Sequence, residues 1–309
     1  MKMIKGLFLT FCLLWAPSAL PAKMRVLTTT QDLAALAEEI GGNQVAVDFI
    51  AKGYQDPHFV EPKPSYLLKM KKADLFIEVG LELEVAWAPA LLTNARNPKI
   101  LPGNTGFLDA SEGCEILQIS SGPVDRSMGD IHPFGNPHYW LSPANGRVIA
   151  ANIAKKLYNL DPDNEAAYRQ NLAAFNAKLD QKEKEWRELA SELKGISVIT
   201  YHNSWPNFAQ SFGLSVANFI EIRPGVPPSP AHVERLIRQM RAEKIPLILI
   251  EPYFDSKLPQ KIARDTGSNL IVVSPSVGSK KEIKNYFDLF DHNLKMLKES
   301  AAKSGKRSL

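Results

Sequence analysis

The sequence predicts an α/β protein made of two βα lobes with mostly parallel sheets, joined by one long rigid helix. In both halves of the chain, short apolar segments alternate with helical segments, which is typical of βαβ units and a parallel sheet. Between the halves, residues 161–195 carry one continuous helical pattern of apolar residues. The length of 309 residues agrees with two domains.

Residues 1–22 are predicted to be a secretory signal peptide. Lys2 and Lys5 precede an apolar run that begins at Gly6, and small residues continue to Ala22. The run is too short to span a bilayer, which needs about 20 residues. Cys12 lies inside the run without the small residues that precede a lipid-modified cysteine. We therefore expect a mature periplasmic protein that is monomeric and has no direct membrane anchor.

The first lobe is predicted over residues 23–160. Its predicted strands and helices are 24–29, 31–41, 45–50, 64–72, 75–79, 83–93 and 143–160. Residues 101–137 are rich in Gly, Pro, Ser and Asp and are predicted to be mostly loop. A loop of this length inside a compact domain is usually functional or mobile.

The connecting helix is predicted over residues 161–195. Asp161 and Pro162 give it an N-cap followed by proline at the first helical position. No other Gly or Pro interrupts it before Gly195, so it should run for roughly 48 Å. The second lobe, 196–309, is predicted to contain the strands and helices 196–200, 204–212, 214–220, 230–242, 246–250, 256–266, 270–273 and 280–297.

Composition excludes several classes of protein. The formal net charge is +4 and no basic stripe with interleaved aromatic residues is present, so nucleic acid is not an expected partner. Only two cysteines occur, which excludes a disulfide scaffold and any zinc site built from several thiolates. A content of 45% apolar and 23% charged residues is ordinary for a globular protein and argues against disorder.

Three of the six histidines share one setting. His58, His138 and His202 each lie in a segment that leads into a predicted helix. Ligands of open α/β sheets bind beyond the carboxyl ends of the strands, and a site that uses all three histidines would lie in the cleft between the lobes. Neutral imidazole suits zinc and other late first-row metals. Their spacing matches no local metal motif, so ordinary loop histidines are the alternative.

The segments around these histidines resemble a known family. They are Asp-Pro-His-x-x-Glu-Pro-x-Pro-Ser at His58, Asn-Pro-His-x-Trp-Leu-x-Pro at His138 and Tyr-His-Asn-x-Trp-x-x-Phe at His202. They resemble the three histidine motifs of zinc/manganese solute-binding proteins of ABC transporters, and Pro228-Ser-Pro and Ile250-Glu-Pro also fit. The resemblance covers residues 25–287. It implies two α/β lobes joined by a long helix, metal binding by the three histidines, and an ABC transporter permease as partner.

The chain departs from the family at the fourth ligand. Many members carry an acidic ligand where this sequence has Ser274. We predict that Glu251, at the end of an apolar strand, is the fourth metal ligand; the alternative is that it hydrogen-bonds a ligand imidazole while water binds the ion. His132 is expected to be an ordinary loop residue, and His232 and His292 to be structural or solvated.

The predicted function is that of a binding protein rather than an enzyme. It would capture Zn²⁺ as transported ligand, with Mn²⁺ second, because three imidazoles with at most one carboxylate favour zinc over the harder manganese. The alternative is a zinc-dependent hydrolase with three His ligands and a bound water. His-Glu-x-x-His and Gly-x-Ser-x-Gly are both absent from the sequence, which disfavours this alternative.

Overall fold

The computed structural model describes residues 22–120, 132–223 and 225–305. The described residues of the first half of the chain form four strands and four α-helices. The strands are β1 (Met24–Thr28), β2 (Val45–Phe49), β3 (Leu75–Glu78) and β4 (Phe107–Asp109). The helices are α1 (Gln31–Gly41), α2 (Pro64–Lys72), α3 (Ala88–Asn94) and α4 (Pro143–Leu160).

The four strands form one parallel sheet in the order β2-β1-β3-β4. Val26 of β1 pairs with Val47 on one side and with Leu75 on the other, so β1 and β3 are the inner strands. The chain leaves β1 towards β2 and then crosses to β3 on the opposite side. This reversal opens a crevice at the carboxyl ends of the strands, where α/β proteins bind ligands.

The second half repeats this arrangement. Its elements are β5 (Ser197–Thr200), α6 (Pro206–Phe212), β6 (Ser215–Phe219), α7 (Pro230–Ala242), β7 (Leu247–Ile250), α8 (Lys257–Thr266), β8 (Asn269–Val272) and α9 (Tyr286–Gly305). The parallel strand order is β6-β5-β7-β8, the same as in the first sheet. The fold class is therefore as predicted, and every pairing in these two sheets is parallel.

The connecting helix α5 spans Glu165–Ala190, with short 3₁₀ turns at Pro162–Asn164 and Ser191–Leu193. Its 26 α-helical residues extend about 39 Å at 1.5 Å per residue. Tyr168, Phe175 and Trp186 of its predicted apolar face are buried. The long helix is thus present, while the proposed domain boundaries at 160 and 195 stay predictions.

One hydrophobic core runs through both lobes. It includes Leu75 of β3, Phe175 of α5 and Leu247 of β7. Hydrogen bonds also cross between the lobes: the Trp140 indole Nε1 donates to the Pro275 carbonyl at 3.1 Å, and the Tyr286 hydroxyl donates to the Trp140 carbonyl at 2.6 Å. The lobes are therefore packed against each other and against α5, rather than being joined by α5 alone.

Two helix starts were predicted five or six residues too early. The helix predicted from residue 83 begins at Ala88, because Leu81 and Glu82 have positive φ angles of 54° and 65° and Pro89 belongs at a helix start. The helix predicted from residue 280 begins at Tyr286, because the Asn285 side-chain oxygen accepts hydrogen bonds from the backbone of Phe287 and Asp288.

Inside the predicted 101–137 loop the structure contains β4, which has only three residues and is therefore too short to show a pattern of alternation. The predicted signal peptide lies outside the described residues except for Ala22, and so do residues 121–131 of the predicted loop. Within the part of the chain that is described, no helix has the length and apolarity needed to cross a membrane.

Candidate metal centre

The carboxyl ends of the strands carry the predicted site residues. His58 follows β2, His202 follows β5 and Glu251 directly follows β7. His138 lies at the end of the long segment after β4, immediately before a 3₁₀ turn that leads into α4. All four side chains are buried, and the first lobe supplies two of them and the second lobe the other two.

The structure brings His58, His138 and His202 together. One ring nitrogen from each lies within 4.8 Å of the others, and their ring centroids are 5.2–5.3 Å apart. Zinc–nitrogen bonds of about 2.0–2.1 Å in a tetrahedral arrangement place the centroids of ligating imidazoles about 5 Å apart. Across residues 22–120, 132–223 and 225–305, this is the one group of three or more His, Cys, Asp or Glu side chains that could hold a metal ion.

Two of the histidines are oriented by the same local turn. The Asp56 carboxylate Oδ1 accepts hydrogen bonds from the His58 backbone N at 3.0 Å and from its ring Nδ1 at 2.7 Å. The Asn136 side-chain Oδ1 accepts from the same two atoms of His138, both at 3.0 Å. Each turn is an Asx-Pro-His sequence, in which Asx accepts from the residue two positions on and proline fixes φ. The sequence contained both turns, but their role in orienting the rings was not predicted.

The third histidine is held by a different partner. The His202 ring Nδ1 lies 3.3 Å from the carboxylate Oε2 of Glu221, and the His202 backbone carbonyl accepts from the Thr200 hydroxyl at 2.7 Å. Glu221 follows β6, which neighbours the strand that precedes His202. The sequence analysis missed Glu221, although its place just after a strand of the second sheet is the same signal that identified Glu251.

These hydrogen bonds leave the outer ring nitrogens available. Nε2 of His58 and Nε2 of His138 are buried and have no hydrogen-bond partner. When Nδ1 is held by an oxygen, the tautomer with a free Nε2 lone pair is favoured, which is the form that binds a metal ion. A buried polar atom without a partner costs free energy, and a cation at this point would supply the partner.

The pKa values of His138 and His202 are shifted in opposite directions. Burial, together with the neighbouring histidines, holds the pKa of His138 well below its ordinary value. Burial also lowers the pKa of His202, but its hydrogen bond to Glu221 and the charge of Glu251 outweigh this effect, so the pKa of His202 is raised.

Glu251 lies beside the group without being a member of it. Its side chain is fully buried, Oε1 accepts from the Trp205 indole at 3.0 Å, and Oε2 has no hydrogen-bond partner. Burial raises the pKa of Glu251 to about 7, against the opposing charge of His202. Ser274 is also buried, with its backbone N donating to Asn293 at 3.0 Å. Direct ligation by Glu251 stays a prediction.

His132 lies near the group without belonging to it. Its ring centroid lies 5.3 Å from that of His58 and its buried Nε2 has no partner, and its expected role as a loop residue stays a prediction. His232 and His292 lie outside the three-histidine group. The His232 ring is within 3.0 Å of the Phe219 carbonyl, and the His292 ring lies 3.1 Å from the Lys280 ammonium.

A buried group of three imidazoles between two α/β lobes defines the class as a two-lobe metal-binding protein. Residues 26–300 match the model of one family, ZnuA, described as the periplasmic component A of a zinc-uptake complex. The chain belongs to this family. The predicted resemblance to solute-binding proteins of metal ABC transporters is thereby confirmed, and the hydrolase alternative gains no support.

Individual relatives differ in the metal that they are named for. The manganese ABC transporter substrate-binding lipoprotein ScaA of Streptococcus gordonii is 28% identical over 290 residues, covering 91% of this chain and 90% of the relative. A crystal structure of ZnuA has 27% identity and a TM-score of 0.73, and covers 91% of this chain and 99% of that one. A manganese-bound periplasmic metal-binding protein from Candidatus Liberibacter asiaticus, 22% identical with a TM-score of 0.74, shares the fold over 90% of this chain and all of that one.

Proposed function

We propose that this protein captures a divalent transition metal, Zn²⁺ first and Mn²⁺ second, and delivers it to the permease of an ABC importer. The observation that carries this proposal is the buried group formed by His58, His138 and His202, whose ring nitrogens lie within 4.8 Å of one another. Its imidazole nitrogens suit zinc better than manganese, which prefers oxygen ligands. Manganese stays second because several relatives are named manganese transporters.

The fourth position is assigned to Glu251, in agreement with the sequence analysis. Its support is a buried carboxylate oxygen without a partner, next to His202 at the carboxyl end of β7. His132 competes for the same position, since its unpartnered Nε2 is adjacent to His58. In a metal-loaded crystal structure we expect a Glu251 oxygen at about 2.0–2.2 Å from the ion. A separation beyond about 3 Å, with water or His132 bound instead, would reject the assignment.

The proposed compartment is the periplasm, reached through the predicted signal peptide at residues 1–22. The streptococcal relatives are named lipoproteins. The absence of small residues before Cys12 favours a protein without a lipid anchor here. Mass spectrometry of the exported protein checks this, because an anchored form would begin with a lipid-modified cysteine and a released form near Ala22.

The function is tested by metal titration of the purified protein. We expect binding of one Zn²⁺ per chain, and about 4 kcal/mol of added stability in thermal unfolding when free Zn²⁺ is 1,000-fold above the dissociation constant. His58→Ala, His138→Ala and His202→Ala should each weaken binding by at least about 100-fold, because a ligand matters more than its outer partners. His292→Ala is the matched control. No stabilisation by Zn²⁺ or Mn²⁺ would contradict the proposal.

A further inference from the structure

Three side-chain amides connect the lobes beside the metal centre. The Gln118 side-chain oxygen Oε1 accepts from Asn136 Nδ2 at 3.0 Å and from Asn203 Nδ2 at 2.7 Å. Asn136 Nδ2 also donates to the Asn203 backbone carbonyl at 2.8 Å. Gln118 and Asn136 belong to the first lobe and Asn203 to the second. Through two side-chain bonds and this bond to a backbone carbonyl, the three residues form a closed hydrogen-bonded triangle across the cleft, which we term the amide latch.

Two residues of the latch, Asn136 and Asn203, are each connected to a histidine of the candidate metal site. Asn136 uses its oxygen to hold the backbone N and the ring Nδ1 of His138 and its nitrogen to reach the second lobe. Asn203 directly follows His202 in the chain. A movement that separates Asn136 from Asn203 would consequently separate His138 from His202, so the latch and the ligand group open together.

Gln118 is held in an unfavourable backbone conformation. Its φ angle is +57°, a left-handed value that residues other than glycine rarely adopt. Such conformations persist where surrounding contacts over-determine them, and they are concentrated at functional sites. Here the contacts are the two hydrogen bonds accepted by the Gln118 side chain and the neighbouring backbone bond from Asn136 N to the Leu117 carbonyl at 2.8 Å.

The latch also forms part of the wall of a cavity next to the site. This cavity of about 270 Å³ is lined by Gln118, Asn136, Asn203, His138, His202 and Glu221. An ion leaving the histidine group through this space passes the latch. The hydrogen bonds of the latch join neutral groups, so the latch does not depend on the ionisation of any side chain.

We propose that Gln118 is a positioning residue that holds His138 and His202 together through Asn136 and Asn203 and thereby slows release of the bound metal. This inference rests on the proposed function and adds a role for a residue that does not touch the ion. Gln118 matters because its single oxygen accepts both lobe-bridging donors. The same role requires only an acceptor at this position, whether from an amide or from a carboxylate.

The experiment compares Gln118→Leu with Gln118→Glu. Leucine has a similar size but accepts no hydrogen bond, whereas glutamate keeps two acceptor oxygens for the two amide donors. Zinc-loaded protein is mixed with excess chelator in a stopped-flow instrument, and the dissociation rate is recorded. We expect Gln118→Leu to release Zn²⁺ about tenfold faster, from the loss of two neutral hydrogen bonds. Gln118→Glu should restore a rate near that of the wild type.

Gln210→Leu is the matched control. Gln210 also bridges the lobes, donating to Glu115 at 3.1 Å, but it contacts no metal-site histidine. Its substitution should leave the dissociation rate unchanged. Metal-free thermal unfolding of each variant shows whether it folds. Should Gln118→Leu fail to fold, Asn203→Ala removes the donor of the hydrogen bond to Gln118 from the opposite lobe and should accelerate release in the same way.

The outcomes separate this inference from the proposed function. If wild-type protein binds Zn²⁺ and Gln118→Leu, or Asn203→Ala in its place, releases it at the wild-type rate, the latch role is wrong and the function stands. The latch role is also wrong if Gln118→Glu is as fast as Gln118→Leu, or if Gln210→Leu is equally fast. If the wild type binds neither Zn²⁺ nor Mn²⁺, the function itself fails.

Discussion

At the residue scale, an oxygen lies within hydrogen-bond reach of one ring nitrogen of each of the three imidazoles, and Nε2 of His58 and of His138 has no partner. Asp56, Asn136 and Glu221 supply the oxygens that hold His58, His138 and His202. These oxygens fix the tautomer and the orientation of each ring before any ion arrives. Because the rings are already 5.2–5.3 Å apart, the proposed binding of an ion needs little rearrangement of these side chains.

Glu221→Ala should weaken Zn²⁺ binding by about tenfold, because the His202 ring loses the carboxylate that orients it. The 3.3 Å separation between Glu221 Oε2 and His202 Nδ1 is long for a charge-assisted hydrogen bond, which places the effect at the lower end of the usual range. A competition titration with a chelator measures it. Glu234→Ala, at an exposed carboxylate on α7, is the control. Equal affinity of Glu221→Ala and wild type would show that His202 needs no such partner.

At the scale of elements, the two Asx-Pro-His turns hold their histidines with the same hydrogen bonds but with different acceptor groups. Asp56 is a carboxylate and Asn136 is a neutral amide, yet each accepts from the backbone N and the ring Nδ1 of the following histidine. The geometry of the turn, rather than the charge of its first residue, is therefore the shared feature.

Exchanging the acceptor tests this interpretation. Asp56→Asn should retain most of the Zn²⁺ affinity, because the amide oxygen can hold His58 as Asn136 holds His138. Asp56→Ala should lose about tenfold or more, because neither hydrogen bond can form. Isothermal competition titrations of the two variants provide the comparison. If both lose the same affinity, the charge of Asp56 and not its acceptor geometry supports the site.

A second element-scale feature is the close approach of α4 and α9 at Gly146. A Cβ at this position would clash with the ring and hydroxyl of Tyr286, which is buried and donates to the carbonyls of Trp140 at 2.6 Å and Ser142 at 3.0 Å. Gly146→Ala should lower the free energy of unfolding by about 1–3 kcal/mol in urea denaturation, although alanine is the better helix former. An increase in stability would show that Tyr286 moves away without cost.

At the scale of the whole molecule, a buried carboxylate joins the two lobes. Asp32 of α1 accepts hydrogen bonds from the Val277 backbone at 2.9 Å and from the Ser276 hydroxyl, both in the second lobe. Burial raises the pKa of Asp32 to about 7, although these hydrogen bonds oppose it. Lys52 and Tyr253 line the same small cavity as Asp32.

Because its folded-state pKa is raised, Asp32 binds its proton more tightly in the folded protein than in the unfolded chain. The contribution of Asp32 to the free energy of unfolding should therefore rise as pH falls from about 8 to about 4, and Asp32→Asn should remove this part of the pH dependence. The difference between wild type and variant should change by about 2–4 kcal/mol between these pH values. Urea denaturation with chelator present measures it. A difference that is independent of pH would mean that Asp32 titrates normally.

The sequence by itself determined the two parallel α/β lobes, the long helix between them and the three histidines that meet in the cleft. Periodicity is local, so the apolar strands and the seam of α5 could be identified from neighbouring residues alone. The histidines could be placed together because parallel strands bring their carboxyl ends to one edge of a sheet. The motifs around His58, His138 and His202 then led to the family that the chain belongs to.

Only the tertiary structure decided which side chains support the site and how the lobes meet. Glu221 reaches His202 from another strand, His132 lies against His58 from a loop, and Gln118 joins Asn136 to Asn203. These contacts span 18 to 85 residues, and nothing in the local sequence encodes such distances. The core shared by the two lobes could not be predicted either. An apolar residue in the sequence indicates burial, but it does not indicate which residues it will pack against.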